Sequence, residues 1–232
     1  MNNFDKTRLM IALTLVLVLL IYAIIKFAPK NKHINARFIA RTGVFSSIAV
    51  ILYTIPILKF SVPFFPSFLE IHFDEVPAFI AGFAYGPLSA FFVILIKTII
   101  KLPITSTAGV GELADLLYSM AFVLPASIIY RYKRNFKGAL IGLGVATVIQ
   151  VVVASIFTAF VMLDFYVFMM PGLSLEAILK MCQAINPNIT SLGWTFVFMV
   201  GMPFNLFKDV IVVIITLVLY KNTHKLIDRI RV

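Results

Sequence analysis

Apolar residues along this chain fall into long uncharged runs, and basic residues mark where each run stops. Residues 9–25 form the first run, with Lys6 and Arg8 before it and Lys26 and Lys30 after it. The sequence continues Phe27-Ala28-Pro29-Lys30 with no small-x-small cleavage site, which predicts an uncleaved transmembrane helix rather than a signal peptide. Residues 42–58 make the next span, with Arg37 and Arg41 at its start. Hydropathy alone makes residues 76–100 a single helix, since only Lys97 interrupts the run. Gly82 and the Gly86-Pro87 pair argue for a break, because Pro87 removes a backbone donor and crowds the preceding turn.

Charge bias decides between the two. One helix would place the loop Arg131-Tyr132-Lys133-Arg134-Asn135-Phe136-Lys137 on the opposite side from Arg37 and Arg41. Two short helices, over 74–85 and 87–101, put every basic cluster on the cytoplasmic side. At 1.5 Å per residue they are about 18 and 22 Å long, too short to cross a core of roughly 30 Å unaided. Neighbouring helices and loops must therefore cover their ends. Spans over 112–130, 138–163 and 194–220 complete the prediction: an all-α integral membrane protein with one extra N-terminal transmembrane helix and basic linker (1–35) and a six-helix membrane domain (36–232). The N-terminus is expected outside and the C-terminus in the cytoplasm of a multi-pass cell-membrane protein.

Three loops then face outward. The first, 59–73, carries the stiff aromatic segment Pro63-Phe64-Phe65-Pro66-Ser67-Phe68-Leu69. The second is 103–111. The third, 164–193, is long and too apolar for disorder (Phe165, Tyr166, Phe168, Met169, Met170, Leu173, Leu175), which predicts a cap packed over the bundle. Elaborate outer loops and short inner connections suit a protein that catches something outside.

Composition agrees. Of 232 residues, 61% are hydrophobic and 13% charged, half the charge of an average soluble domain, so lipid is the surrounding solvent. The net charge of +10 sits at span ends, where anionic lipid is the counter-charge; no nucleic acid partner is expected. The single Cys182 excludes an intrachain disulfide.

Lys208 is the most informative position. It lies about 18 Å up the last span from Tyr220, near the bilayer midplane, where a charge costs at least about 2.5 kcal/mol unless it meets a partner or a wet cavity. Asn205, three residues earlier, shares its face, and the pair offers amide and ammonium groups to a ligand. The alternative is an ion pair with Asp209 or Glu112, although Asp209 points roughly 100° away from Lys208. Glu112 and Asp115 open the helix after the second outer loop. They either complement its dipole, bond ligand hydroxyls, or hold Lys97 and Lys208 in place. Gly109 and Gly111 permit close backbone approach, and Phe65, Phe68 and Trp194 are the outer aromatics suited to stacking on a planar ligand. Ala36, Ala40, Gly43 and Ser47 form a small-residue stripe that lets a helix of the bundle or of a partner subunit approach closely. No phosphate-binding loop, metal-ligand spacing or nucleophile elbow is present in the sequence, so no enzymatic activity and no cofactor are expected; uphill transport would need energy from elsewhere.

From about Arg37 to Tyr220 the chain resembles the riboflavin-type substrate-binding (S) component of energy-coupling factor transporters. The resemblance rests on the aromatic segment from Pro63 to Leu69, on Gly109-Val110-Gly111-Glu112-Leu113-Ala114 and on Phe122-Val123-Leu124-Pro125-Ala126. It continues through Lys137-Gly138-Ala139-Leu140-Ile141-Gly142, Asn186-Pro187 and Thr190-Ser191-Leu192, and closes on Pro203-Phe204-Asn205-Leu206-Phe207-Lys208. It implies a six-helix vitamin-binding subunit that works with a membrane coupling (T) protein and two ATPases. The Ala36, Ala40 and Ser47 stripe would match the coupling-protein surface, and Asn205 and Lys208 the flavin contacts of the last helix. Thr158 stands where a flavin-contacting Asn is expected, and Asp115 where Asn is more usual. Asp209 adds a negative charge unfavourable to a phosphorylated flavin. An S component for another vitamin, and a stand-alone permease or membrane scaffold, are the competing expectations.

Overall fold

The structure, a computed structural model, describes residues 35–230, and the helix expected over 9–25 lies outside them. Asn35 opens α1 (Ala36–Thr54) by accepting the Phe38 N–H on its side chain, nearly two turns earlier than the predicted start at 42. The helix stops at Thr54 rather than 58, because Pro56 disfavours helical backbone at Ile55 and starts a separate tight turn. A two-stranded hairpin follows, β1 (Phe60–Ser61) pairing antiparallel with β2 (Glu70–Ile71).

The predicted break is present. α2 (Glu75–Tyr85) ends and α3 (Pro87–Lys101) begins at Gly86, whose φ of 98° and ψ of 172° lie outside the range a side-chain-bearing residue readily adopts. Pro87 then occupies the first helical position, where its missing N–H costs nothing. Arg41 lies 5.3 Å over the Tyr85 ring, so this turn and the basic start of α1 share one end of the bundle. Tyr130 and Tyr220 exchange a 2.8 Å hydrogen bond at that same end, against Phe83. The two-helix reading is therefore correct.

α4 (Val110–Tyr132) and α5 (Phe136–Phe157) follow, α5 capped by Asn135. The expected outer loop over 164–193 is instead largely helical. α5 passes through a π-turn (Thr158–Met162) into α6 (Leu163–Met169), and α7 (Leu175–Ile185) follows with a Ser174 cap. Apolar content continuous with α5 carries the helix onward, since nothing at 163 breaks it. The segment does pack on the bundle: Ile178 and Cys182 of α7 are buried with Ile189, Phe196, Val197 and Val200. A short turn, α8 (Trp194–Phe196), and a second π-turn (Val197–Gly201) lead into α9 (Met202–Ile230).

Among the described residues, five helical stretches are long and apolar enough to cross a membrane: Ala36–Thr54, Pro87–Ile104, Val110–Tyr132, Phe136–Met169 and Trp194–Asn222. With the short, almost wholly buried α2, they form the expected six-helix core. α2 can be short because it lies inside: Val76 through Ala84 are all buried, so lipid does not determine its length. The core is aromatic at its centre, with Phe79 against Phe83 and Phe122.

Close helix approach depends on small residues at two contacts. A Cβ on Gly82 would sit 2.0 Å from Ser127 Oγ of α4, and one on Gly142 would sit 2.9 Å from the Ala126 carbonyl oxygen. Gly82→Ala is therefore expected to destabilise the protein by about 1–3 kcal/mol through overpacking. A lowered melting temperature in detergent checks this, with Gly144→Ala, which meets nothing within 4 Å, as the neutral control.

Candidate functional site

Charged side chains are buried where α2, α3, α4 and α9 meet the end of the hairpin. Asp74, Glu75, Lys97, Asp115 and Lys208 are each at most 7% exposed. Lys97 of α3 donates to Asp74 and to Ser119 Oγ (2.9 Å), and lies 2.8 Å from Asp115 of α4. Lys208 of α9 donates to Glu75 Oε1 of α2 at 2.5 Å. His72, just after β2, pairs through Nδ1 with Asp74, and this nitrogen is 3.7 Å from Glu75; its Nε2 is 3.6 Å from Asp115. Tyr53 of α1 covers the group, with its ring 5.2 Å from His72 and 4.9 Å from the Lys97 ammonium. Three carboxylates thus face two ammonium groups and one imidazole.

Burial pulls His72 toward its neutral form. The charge of Asp74, its hydrogen bond and the charge of Glu75 outweigh both that and the repulsion of Lys208, and hold the imidazole above its ordinary pKa. Donor atoms of His72, Asp74 and Glu75 all lie within 4.8 Å of one another, a spacing a metal ion could use. Lys97 and Lys208 already bond the two carboxylates, so the set reads as an ion-pair ring.

From the sequence, Lys208 is expected to face either a ligand or one of Asp209 and Glu112. In the structure its partner is Glu75, a residue sequence reasoning missed. Asp209 is fully buried, and neither of its oxygens accepts a hydrogen bond. Asn205 shares the face of Lys208 as predicted. It donates to Gly201 O (2.9 Å) and to Ser155 Oγ (3.4 Å), and accepts from Gln150 Nε2 (3.1 Å). Gln150 Oε1 is buried with no hydrogen bond, one open acceptor beside Asn205. Gln150 was legible in principle as the one amide within the apolar α5.

Asp115 is in the ring, 2.8 Å from Lys97 and facing His72; of the two lysines it was expected to hold, it pairs with Lys97 and not with Lys208. Glu112 is outside it and does not reach Lys208 directly. It accepts from Thr105 Oγ1 (2.7 Å) and Thr107 Oγ1 (3.0 Å), fastening the loop before α4 to the first turn of that helix. Gly109 enters α4 with φ of 87°, and a Cβ on Gly111 would meet Thr107 Oγ1 at 2.8 Å and Tyr166 Oη at 3.1 Å. Their smallness serves this loop and the approach of α6. Thr158 exchanges a 2.7 Å hydrogen bond with Tyr118.

Of the aromatics, Phe65 is brought to α9, packing on Phe204 (5.3 Å) and Phe207 (6.1 Å), on either side of Asn205 and next to Lys208. Val62, Ile71 and Phe204 form the core beneath it, so the hairpin closes directly over this part of α9. Phe68 is exposed on the same loop. Trp194 is 57% exposed beside Phe160 and Phe198, about 20 Å of helix rise from Lys208, and is not brought to the ring. On α1, Ala36, Ala40 and Ser47 are exposed, and Gly43 is half-buried with space for a Cβ that would meet nothing within 4 Å, so among the described residues no helix covers this stripe.

Comparison with known proteins gives a consistent picture. Residues 37–220 match the family described as "ECF transporter, substrate-specific component". The chain is 28% identical over 200 residues to the riboflavin transporter RibU of Staphylococcus aureus (strain TCH60), covering 86% of this chain and 98% of that protein. It is 29% identical over 177 residues to the riboflavin transporter FmnP of Bacillus subtilis (strain 168), covering 74% and 85% respectively. Its fold matches a solved structure described as the S component of a bacterial ECF transporter, with TM-score 0.63, 27% identity, and coverage of 82% of this chain and 96% of that one.

Removing one member of the ring leaves buried charge unmatched. Lys97→Ala should cost about 3–5 kcal/mol, and adding Asp74→Asn and Asp115→Asn should recover part of the loss. Melting temperatures of the single and triple variants in detergent measure both effects.

Proposed function

The chain belongs to the substrate-specific components of ECF transporters, and from that membership we propose that it captures riboflavin from outside the cell for ATP-driven import. The observation that carries this reading is the Asn205–Lys208 face of α9, buried beneath the aromatic hairpin and opposite Gln150. A flavin ring offers carbonyl oxygens and an imide N–H along one edge. An Asn amide, a Gln carbonyl and a lysine ammonium are complementary to that edge. Phe65, and Phe68 on the same loop, supply aromatic surface for the ring plane. Thr158, Asp115, Glu112, Gly109 and Gly111 act on this reading as supports for helices and loops around the ligand, and Trp194 as an outer aromatic at a distance from it.

Lys208 and Asn205 are already bonded within the chain, so ligand groups would exchange for those partners, while Gln150 Oε1 stands open as an acceptor. Lys208 would turn from Glu75 toward a flavin carbonyl, and Asn205 from Gln150 toward the imide. Riboflavin is cargo on this reading, and no catalytic cofactor is involved. The unit from Ala36 onward would bind it, with the N-terminus outside and the C-terminus cytoplasmic, as the basic residues at one end favour. Energy would come from two ATPases through a membrane coupling protein seated on Ala36, Ala40, Gly43 and Ser47. The relatives named for riboflavin transport favour this vitamin over others.

Lys208→Ala is expected to weaken riboflavin binding at least tenfold, or about 1.4 kcal/mol. Fluorescence-quenching titration of the purified chain measures it, and unchanged affinity would remove Lys208 from the site. Ala40→Trp should leave that titration unaltered while abolishing ATP-dependent uptake in vesicles holding the whole transporter, which separates docking from capture.

A further inference from the structure

Both nitrogens of the His72 ring face carboxylates. Nδ1 bonds Asp74 and lies 3.7 Å from Glu75, and Nε2 lies 3.6 Å from Asp115. A neutral imidazole has a donor on one nitrogen and a bare lone pair on the other, and that lone pair would confront a carboxylate oxygen. An imidazolium presents N–H to both sides. With it, the ring holds three carboxylates (Asp74, Glu75, Asp115) and three cations (His72, Lys97, Lys208), and its charge balances. The groups facing His72 come from every neighbouring element: Tyr53 from α1, Asp74 and Glu75 from α2, Asp115 from α4 and Lys208 from α9, with Lys97 of α3 sharing Asp74 and Asp115 with it.

We infer that protonated His72 is a positioning residue for ligand capture, sharing the charge of Glu75 so that the Lys208 ammonium can turn from Glu75 to the ligand. Glu75 Oε2 accepts no hydrogen bond, and its other oxygen is bonded only by Lys208. Once Lys208 leaves, the imidazolium 3.7 Å from Oε2 is the nearest cation left to Glu75. A neutral His72 would leave Glu75 dependent on Lys208, and the ammonium would stay bound to it. His72 is itself only partly covered, with 12% of its side chain exposed, so protons can reach it from the loop side. The inference rests on the proposed binding of riboflavin at Lys208.

The sign follows. The protonated form binds tighter, so affinity falls as pH rises through the pKa of His72 and is greatest below it. The neighbouring carboxylates hold that pKa above the ordinary histidine value, which puts the fall on the alkaline side of about pH 6.5. The experiment is a riboflavin quenching titration of the full chain in detergent between about pH 6 and pH 8.5, with the melting temperature recorded at each pH. The dissociation constant is expected to rise roughly fivefold or more across the window, within the usual range for one linked site. His72→Gln is expected to bind weakly at every pH with a flat profile, and His72→Lys, charged throughout, to lose the slope as well. Should the histidine variants fail to fold, Glu75→Gln provides the second measurement, because removing the shared carboxylate also removes the slope. A flat wild-type profile in a chain that stays folded and binds riboflavin overturns the role of His72 alone, as does a wild-type slope retained in His72→Gln. A folded chain that binds no riboflavin at any pH overturns the proposed function, and this inference with it.

Discussion

A charge in the interior of a membrane bundle has to find its opposite, because neither lipid nor packed side chains can solvate it. Among the described residues, most of the buried charges meet this requirement in one place. The ring of His72, Asp74, Glu75, Lys97, Asp115 and Lys208 draws on the hairpin end and on α2, α3, α4 and α9. Apolar packing among these helices tolerates modest changes of rotation and register, since hydrophobic contact is not directional. Ion pairs with hydrogen-bond geometry tolerate much less. The ring therefore settles which face of each helix turns inward, and it places the hairpin, with Phe65, directly over the part of α9 where Asn205 and Lys208 lie.

The same arrangement determines how the proposed ligand would be held. Lys208 has Glu75, and Asn205 has Gln150, Gly201 and Ser155. Binding is then largely a swap of hydrogen bonds, and its free energy is mainly the difference between two sets of partners rather than the sum of new ones. On the same proposal, the hairpin's aromatic contacts with Phe204 and Phe207 would be exchanged for contacts with the ligand.

Much of the fold could be read from the linear sequence because lipid makes simple demands. Run length marked the spans, and the break at Gly86 followed from where the basic residues had to lie. The helix boundaries were less legible. Asn35 and Pro56 moved the ends of α1 by between one and two turns, and the helix past Leu163 was missed although the composition there carries no stop signal. At the site, Lys208 and Asn205 were identifiable from depth and spacing, and Asp115 from its position three residues after Glu112. Glu75 was not, because a carboxylate in the first turn of a helix looks like an ordinary dipole partner. His72 and Asp74 gave no signal of their own. Their meaning is in distances across the bundle, which a single sequence does not record.

Lys208 and Glu75 are separated by 133 residues along the chain. During synthesis α2 is made long before α9, so Glu75 spends that interval without Lys208 and with only His72 nearby to share its charge. Lys97 arrives sooner, 23 residues after Asp74, and gives the early helices a neutral anchor of their own. The last helix then carries an ammonium that only an already assembled bundle can receive. Completion of the ring thus waits for α9, and a product lacking that helix would keep one carboxylate of the ring without a matching cation.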